Sequence, residues 1–82
     1  MYYEELTNKI EKIKGIEMKI SELQDEIISV QLGEFEMPEK RSIENINFAR
    51  SGFTSFQEWK IKTLENRINV LNNTLKNLKG ER

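Results

Sequence analysis

The chain is short, highly charged and free of both cysteine and histidine. It has 82 residues, 33% of them charged, and a net charge of −1. A chain of this length forms one small domain with a limited core. Cysteine and histidine supply the common nucleophile–base pairs and most transition-metal ligands. Their absence argues against an enzyme, a metal centre or a cofactor site, so we expect a non-catalytic protein.

The beginning of the chain carries no recognisable targeting signal. Met1-Tyr2-Tyr3-Glu4-Glu5 lacks the basic and then apolar order of a signal peptide. No apolar run approaches the ~20 residues that a bilayer span needs. We therefore expect a cytoplasmic protein that makes no contact with a membrane.

A heptad pattern runs through the first third of the chain, where apolar residues recur at alternating intervals of three and four. This spacing predicts a helix from about residue 4 to residue 32, whose apolar stripe packs on another helix. Gly33 suits the left-handed position that ends many helices. The predicted seam residues of this helix are Ile13, Ile16, Ile20, Leu23, Ile27 and Val30.

The same pattern returns near the end of the chain and predicts a second long helix, from about residue 55 to residue 79. Ser55 and Glu58 have the spacing of a capping box at its start. Gly80 marks its end. Its predicted seam residues are Ile61, Leu64, Ile68, Leu71, Leu75 and Leu78.

The middle segment, from residue 33 to residue 54, is too long for a tight turn between helices. Pro38 is well suited to the first position of a helix. Ile43 and Ile46 follow at helical spacing, and Gly52 would end the element. We predict a short helix from about residue 39 to residue 50.

Five of the seven aromatic residues lie between residues 35 and 59. One interpretation is a small core that covers one end of the helix pair. The other is a partly exposed apolar surface for a protein partner. The candidates for contact with a partner are Phe35, Met37, Phe48, Phe53 and Trp59, together with Tyr2 and Tyr3 at the opposite end of the first helix.

The charge distribution favours an all-α antiparallel hairpin. The first 37 residues have a net charge of −5 and the last 29 a net charge of +3, so the two helices would attract and partly neutralise each other. Such a hairpin brings Glu26 near Lys60 or Arg67, and Glu17 near Lys79. Pairing of each helix with its copy in another chain is the alternative.

A two-helix hairpin buries little surface, so we expect it to dimerise into a helical bundle. Apolar residues outside the predicted seam would supply the second interface. These residues are Ile10, Met18, Ile28, Trp59 and Val70.

Three functions suit this architecture. The first is a protein-interaction module, such as an adaptor, regulator or inhibitor. The second is a nucleic-acid-associated protein that uses the basic last helix. The third is a self-assembling structural oligomer. The residues for nucleic-acid contact would be Lys60, Lys62, Arg67 and Lys76.

No family motif is present. The abundance of Lys, Glu, Asn and Ile resembles that of short helical proteins from AT-rich bacteria and their phages. That resemblance is compositional, and it implies a regulator, inhibitor or assembly factor that acts by contact.

Overall fold

The computed structural model describes residues 2–80, and their side chains from Tyr3 onward. It contains three helices, α1 (Tyr2–Gln31), α2 (Ile43–Ser51) and α3 (Phe56–Lys79). The described residues form no strand, so the all-α prediction is confirmed. Between residues 2 and 80, none of the helices has the length and apolar character of a membrane span.

The two long helices, α1 and α3, pack side by side in opposite directions. At one end, the side-chain amide of Gln57 donates hydrogen bonds to the carbonyls of Val30 at 2.7 Å and Gln31 at 3.3 Å. Farther along the pair, Lys79 Nζ lies 3.9 Å from Glu17 Oε2. The radius of gyration is 16.4 Å, against about 12 Å for a compact domain of this size. The molecule is therefore elongated.

The core lies along the contact between α1 and α3. Leu23 is 1% exposed and Leu64 is fully buried, and Ile20, Val30 and Ile68 complete the buried cluster. All twelve residues of the two predicted seams are buried or half-buried. A helix as long as α1 needs such a contact, because intrinsic propensity alone gives marginal helices in water.

Local hydrogen bonds explain where the long helices end and begin. After α1, Gly33 has φ of 82°, and the Glu34 amide donates to the Ser29 carbonyl at 2.8 Å, as in a Schellman motif. Before α3, the Ser55 hydroxyl accepts a hydrogen bond from the Glu58 amide at 3.3 Å. Both boundaries fall within two residues of the predicted ones.

The short helix begins later than predicted. The interpretation of Pro38 as the first helical residue is wrong, because residues 35–39 have no regular secondary structure and α2 starts at Ile43. Ser42 provides the stronger start signal. Its backbone is extended, and its hydroxyl accepts a hydrogen bond from the Asn45 amide at 3.1 Å. An N-cap of this kind satisfies an amide that has no helical partner.

Leu64→Ala tests the seam as the main source of stability. Removing a fully buried leucine side chain should cost about 2–5 kcal/mol in free energy of unfolding, because it leaves a cavity. Urea unfolding followed by circular dichroism measures the loss. Val70→Ala is the control, since Val70 is 63% exposed. Equal losses for the two variants would contradict the assigned core.

A second pair of substitutions tests the backbone conformation of two glycines. Gly33 has positive φ, whereas Gly15 lies inside α1, and an added Cβ would meet no atom within 4 Å at either position. Gly33→Ala should therefore destabilise the protein by about 1–2 kcal/mol through backbone strain alone. Gly15→Ala should stabilise it by about 0.5–1 kcal/mol. Thermal unfolding distinguishes these opposite signs, and a shared sign would be inconsistent with the two assigned conformations.

Candidate protein-interaction surface

An aromatic cluster fixes the middle segment to the start of α3. The cluster consists of Phe35, Phe48, Phe56 and Trp59. The Phe48 ring lies 5.5 Å from the Phe56 ring, edge to face, and 5.7 Å from the Trp59 ring. Phe35 contacts Phe56 at 5.7 Å. Since Phe48 belongs to α2 and Phe35 to the preceding loop, the cluster joins three separate parts of the chain.

An ion-pair network around Lys60 reinforces the same junction. The ammonium group of Lys60 contacts Glu44 of α2 and lies 3.9 Å from Glu26 of α1. Lys60 thus links all three helices. The predicted proximity of Glu26 to Lys60 is confirmed, as is that of Glu17 to Lys79. Partly exposed pairs of this kind contribute about 0.2–1 kcal/mol each.

The apolar stripe of α2 faces solvent. Ile43 is 77% exposed and Ile46 is 40% exposed, while Phe48 makes the contact with α3. The helix is therefore held to α3 by Phe48 and by the contact of Glu44 with Lys60, while Ile43 is largely exposed and Ile46 partly exposed. Met37 before α2 and Phe53 after it are also exposed. We call these four residues, Met37, Ile43, Ile46 and Phe53, the middle-segment surface.

The sequence-derived candidates for partner contact thus divide into two groups. Phe35, Phe48 and Trp59 belong to the aromatic cluster, where Trp59 is buried. Met37 and Phe53 remain exposed, as does Tyr3 at the opposite end of α1. The side chain of Tyr2 lies outside the described part of the structure.

Sequence reasoning did not select Ile43 and Ile46 as contact residues, although they are the exposed isoleucines of α2. The spacing of Ile43 and Ile46 occurs on buried and exposed helix faces alike, so it does not show which face they occupy. Phe48 lies off that stripe and is larger. The sequence did contain one signal, because Phe48 is larger than either isoleucine and competes with both for the buried side of α2.

The basic residues of α3 do not share one face of the helix. Lys60 is held by two carboxylates. Lys62 and Arg67 are exposed and, at about 100° per residue, point about 140° apart. Lys76, also exposed, points to the opposite side from Arg67. A nucleic-acid backbone is normally tracked by a continuous run of positive charge, which these positions do not form.

The expected neutralisation of α3 by α1 does not occur along their whole length. Residues 20–31 of α1 carry three acids and no Lys or Arg, and residues 66–79 of α3 carry three basic residues and no acid. Because Lys79 lies beside Glu17, the basic part of α3 packs on the lysine-rich part of α1. The helix pair therefore has an acidic stretch and a basic stretch at different places along its length.

The described residues contain no buried polar or charged side chain. Within residues 2–80, no group of three or more carboxylates is arranged to hold a metal ion. The surface of the described residues therefore offers apolar contacts and charges. Comparison with protein-family models, with curated proteins and with solved structures finds no match.

Phe48→Ala tests the aromatic cluster as the anchor of α2. Loss of two ring contacts of about 0.5–1.5 kcal/mol each should release α2 from α3. The single tryptophan, Trp59, is buried in the cluster, so its fluorescence emission should shift to longer wavelength. Circular dichroism should retain the signal of the two long helices.

Phe53→Ala is the control for this experiment, because it makes the same chemical change at an exposed position. Its emission spectrum should match that of the wild-type protein. An unchanged spectrum for Phe48→Ala would show that Trp59 is shielded without α2.

Proposed function

We propose that this protein is a non-catalytic protein-interaction module, a small helical adaptor, regulator or inhibitor that binds a protein partner through the middle-segment surface. The observation that carries the proposal is the exposure of Ile43 (77%) and, in part, of Ile46 (40%) on a helix that is itself anchored by Phe48. Exposed apolar side chains on a firmly held element are typical of binding sites.

The anchoring of the surface supports the proposal further. The aromatic cluster and the Lys60 network hold α2 from beneath, so a partner would meet a pre-formed helix. Binding to a pre-formed element avoids the cost of ordering it, which is large for a segment that folds on binding. Arg50 is exposed on the same helix and would add a charge to the contact.

The protein also acts as a homodimer in this proposal. Its support is the amount of apolar surface that the hairpin leaves uncovered, including Ile10, Met18, Ile28 and Val70 outside the seam. A chain of 82 residues has a small core, and small domains commonly gain stability by association.

A role as a nucleic-acid-associated protein remains the alternative, with Lys62, Arg67 and Lys76 as contacts. The different directions of these side chains favour the protein-binding proposal. A titration of binding with salt separates the two, because phosphate contacts weaken steeply as salt rises.

The double substitution Ile43→Ser and Ile46→Ser tests the proposed surface. A protein retained by the immobilised wild-type chain is purified, and its affinity is measured by calorimetry. Loss of two apolar contacts at the centre of an interface should weaken binding at least about tenfold. Because both side chains are exposed, the unfolding midpoint in urea should change little.

Met18→Ser is the control, since it removes an exposed apolar side chain far from α2 along the chain. It should leave the partner affinity unchanged. A purified partner that binds the double variant as tightly as the wild-type chain would place the contact elsewhere.

A further inference from the structure

Two pairs of exposed apolar residues lie near the two ends of α1, outside its contact with α3. The same face carries polar residues between them, namely Lys14, Glu17, Ser21 and Gln24. Ile10 and Ile28 are separated by about five helical turns and so point in the same direction. Leu6 and Leu32 lie one turn beyond them at either end of this face. We call these four residues, Leu6, Ile10, Ile28 and Leu32, the α1 stripe, and they are between 41% and 70% exposed.

The α1 stripe lies on the side of the molecule that α2 leaves open. At about 100° per residue, the stripe is on the same edge of the α1–α3 contact as Glu17, which pairs with Lys79. The opposite edge carries Glu26 and Lys60, and Lys60 also contacts Glu44 of α2. Another helix can therefore reach the stripe without meeting α2.

The spacing of the α1 stripe is symmetric about position 19. Ile10 lies as far before this position as Ile28 lies after it, and the same holds for Leu6 and Leu32. Two copies of α1 laid antiparallel and centred on position 19 would place Ile10 of each opposite Ile28 of the other. Leu6 would face Leu32 in the same way, so the apolar residues at the two ends of this face match each other, and Glu17 of each copy would face Ser21 of the other.

The charges of α1 favour the same arrangement. Residues 9–19 carry four lysines and two glutamates, whereas residues 20–31 carry three acids and no Lys or Arg. An antiparallel pair places the basic stretch of each copy at the level of the acidic stretch of the other, and Lys14 and Asp25, which lie within about 60° of the α1 stripe, would approach each other across the contact. A parallel pair would place like charges together, which is unfavourable.

We propose that two copies of this chain associate through the α1 stripe, with their first helices antiparallel and related by a two-fold axis that passes between them at the level of residue 19. The inference rests on the self-association proposed above and names the surface that produces it. Such a contact uses the same patch on both copies and therefore closes at a dimer. It leaves the middle-segment surface free on each copy.

Cross-linking of single-cysteine variants tests the arrangement, because the natural chain has no cysteine. Ile10→Cys and Ile28→Cys are purified separately, mixed and oxidised mildly. A disulfide requires Cα atoms within about 7 Å. The mixture should form a covalent dimer that joins one variant to the other, while each variant alone should stay uncross-linked. Met18→Cys, on a different face of α1, should not cross-link with either one.

Sedimentation equilibrium of the wild-type chain completes the experiment. The inference is supported if the wild-type chain sediments as a dimer and the two variants cross-link only when they are mixed. Cross-linking of each variant with itself would indicate parallel helices and overturn it. A wild-type dimer without cross-linking in the mixture would also overturn it, while leaving the proposed self-association intact. A wild-type monomer at all concentrations would overturn both.

Discussion

The structure depends on one contact, the burial of α1 against α3. Leu23 and Leu64 lie at its centre and are almost completely enclosed. Neither long helix could persist in water without this contact, because isolated helices gain too little from their own hydrogen bonds. The position of every other element follows from it. The segment after α1 must lead to the start of α3. Because α2 belongs to this segment, it packs near the start of α3.

The contact is nevertheless too narrow to cover the apolar side chains of the chain. Among the described residues, seven large apolar side chains are buried and eleven are exposed. A two-layer hairpin has only one internal face, so apolar residues on any other face stay outside. The exposed set includes one group around α2 and another along α1. Because the two groups lie on different parts of the molecule, the proposed contact with a protein partner and the proposed contact with a second copy would not compete.

The long helices could be predicted from the sequence because their signals are local and agree with one another. Heptad spacing, the Ser55 cap and Gly33 all indicate the same boundaries. The charge pattern added a predicted contact of Glu26 with Lys60 or Arg67, and the structure has the contact with Lys60.

The middle segment could not be predicted in the same way, because its signals compete. Pro38 and Ser42 are both good helix starts, and the hydrogen bond from Asn45 to Ser42 decides between them. The outward direction of Ile43 depends on Phe48 meeting two rings of α3. That contact is tertiary, so no local pattern reveals it.

The acidic and basic stretches lie at different places along the helix pair. The hairpin is therefore electrically polarised, although its net charge is only −1. Opposite charges in the first and last thirds suggested cancellation, but cancellation requires that the charged stretches lie side by side. The register set by Leu23 and Leu64 prevents this, because burial of the seam contributes more than exposed ion pairs do. Apolar packing therefore determines how the chain folds on itself. In the proposed dimer, the uneven charge of α1 would then select the antiparallel orientation, since electrostatic complementarity selects orientation more than it adds affinity.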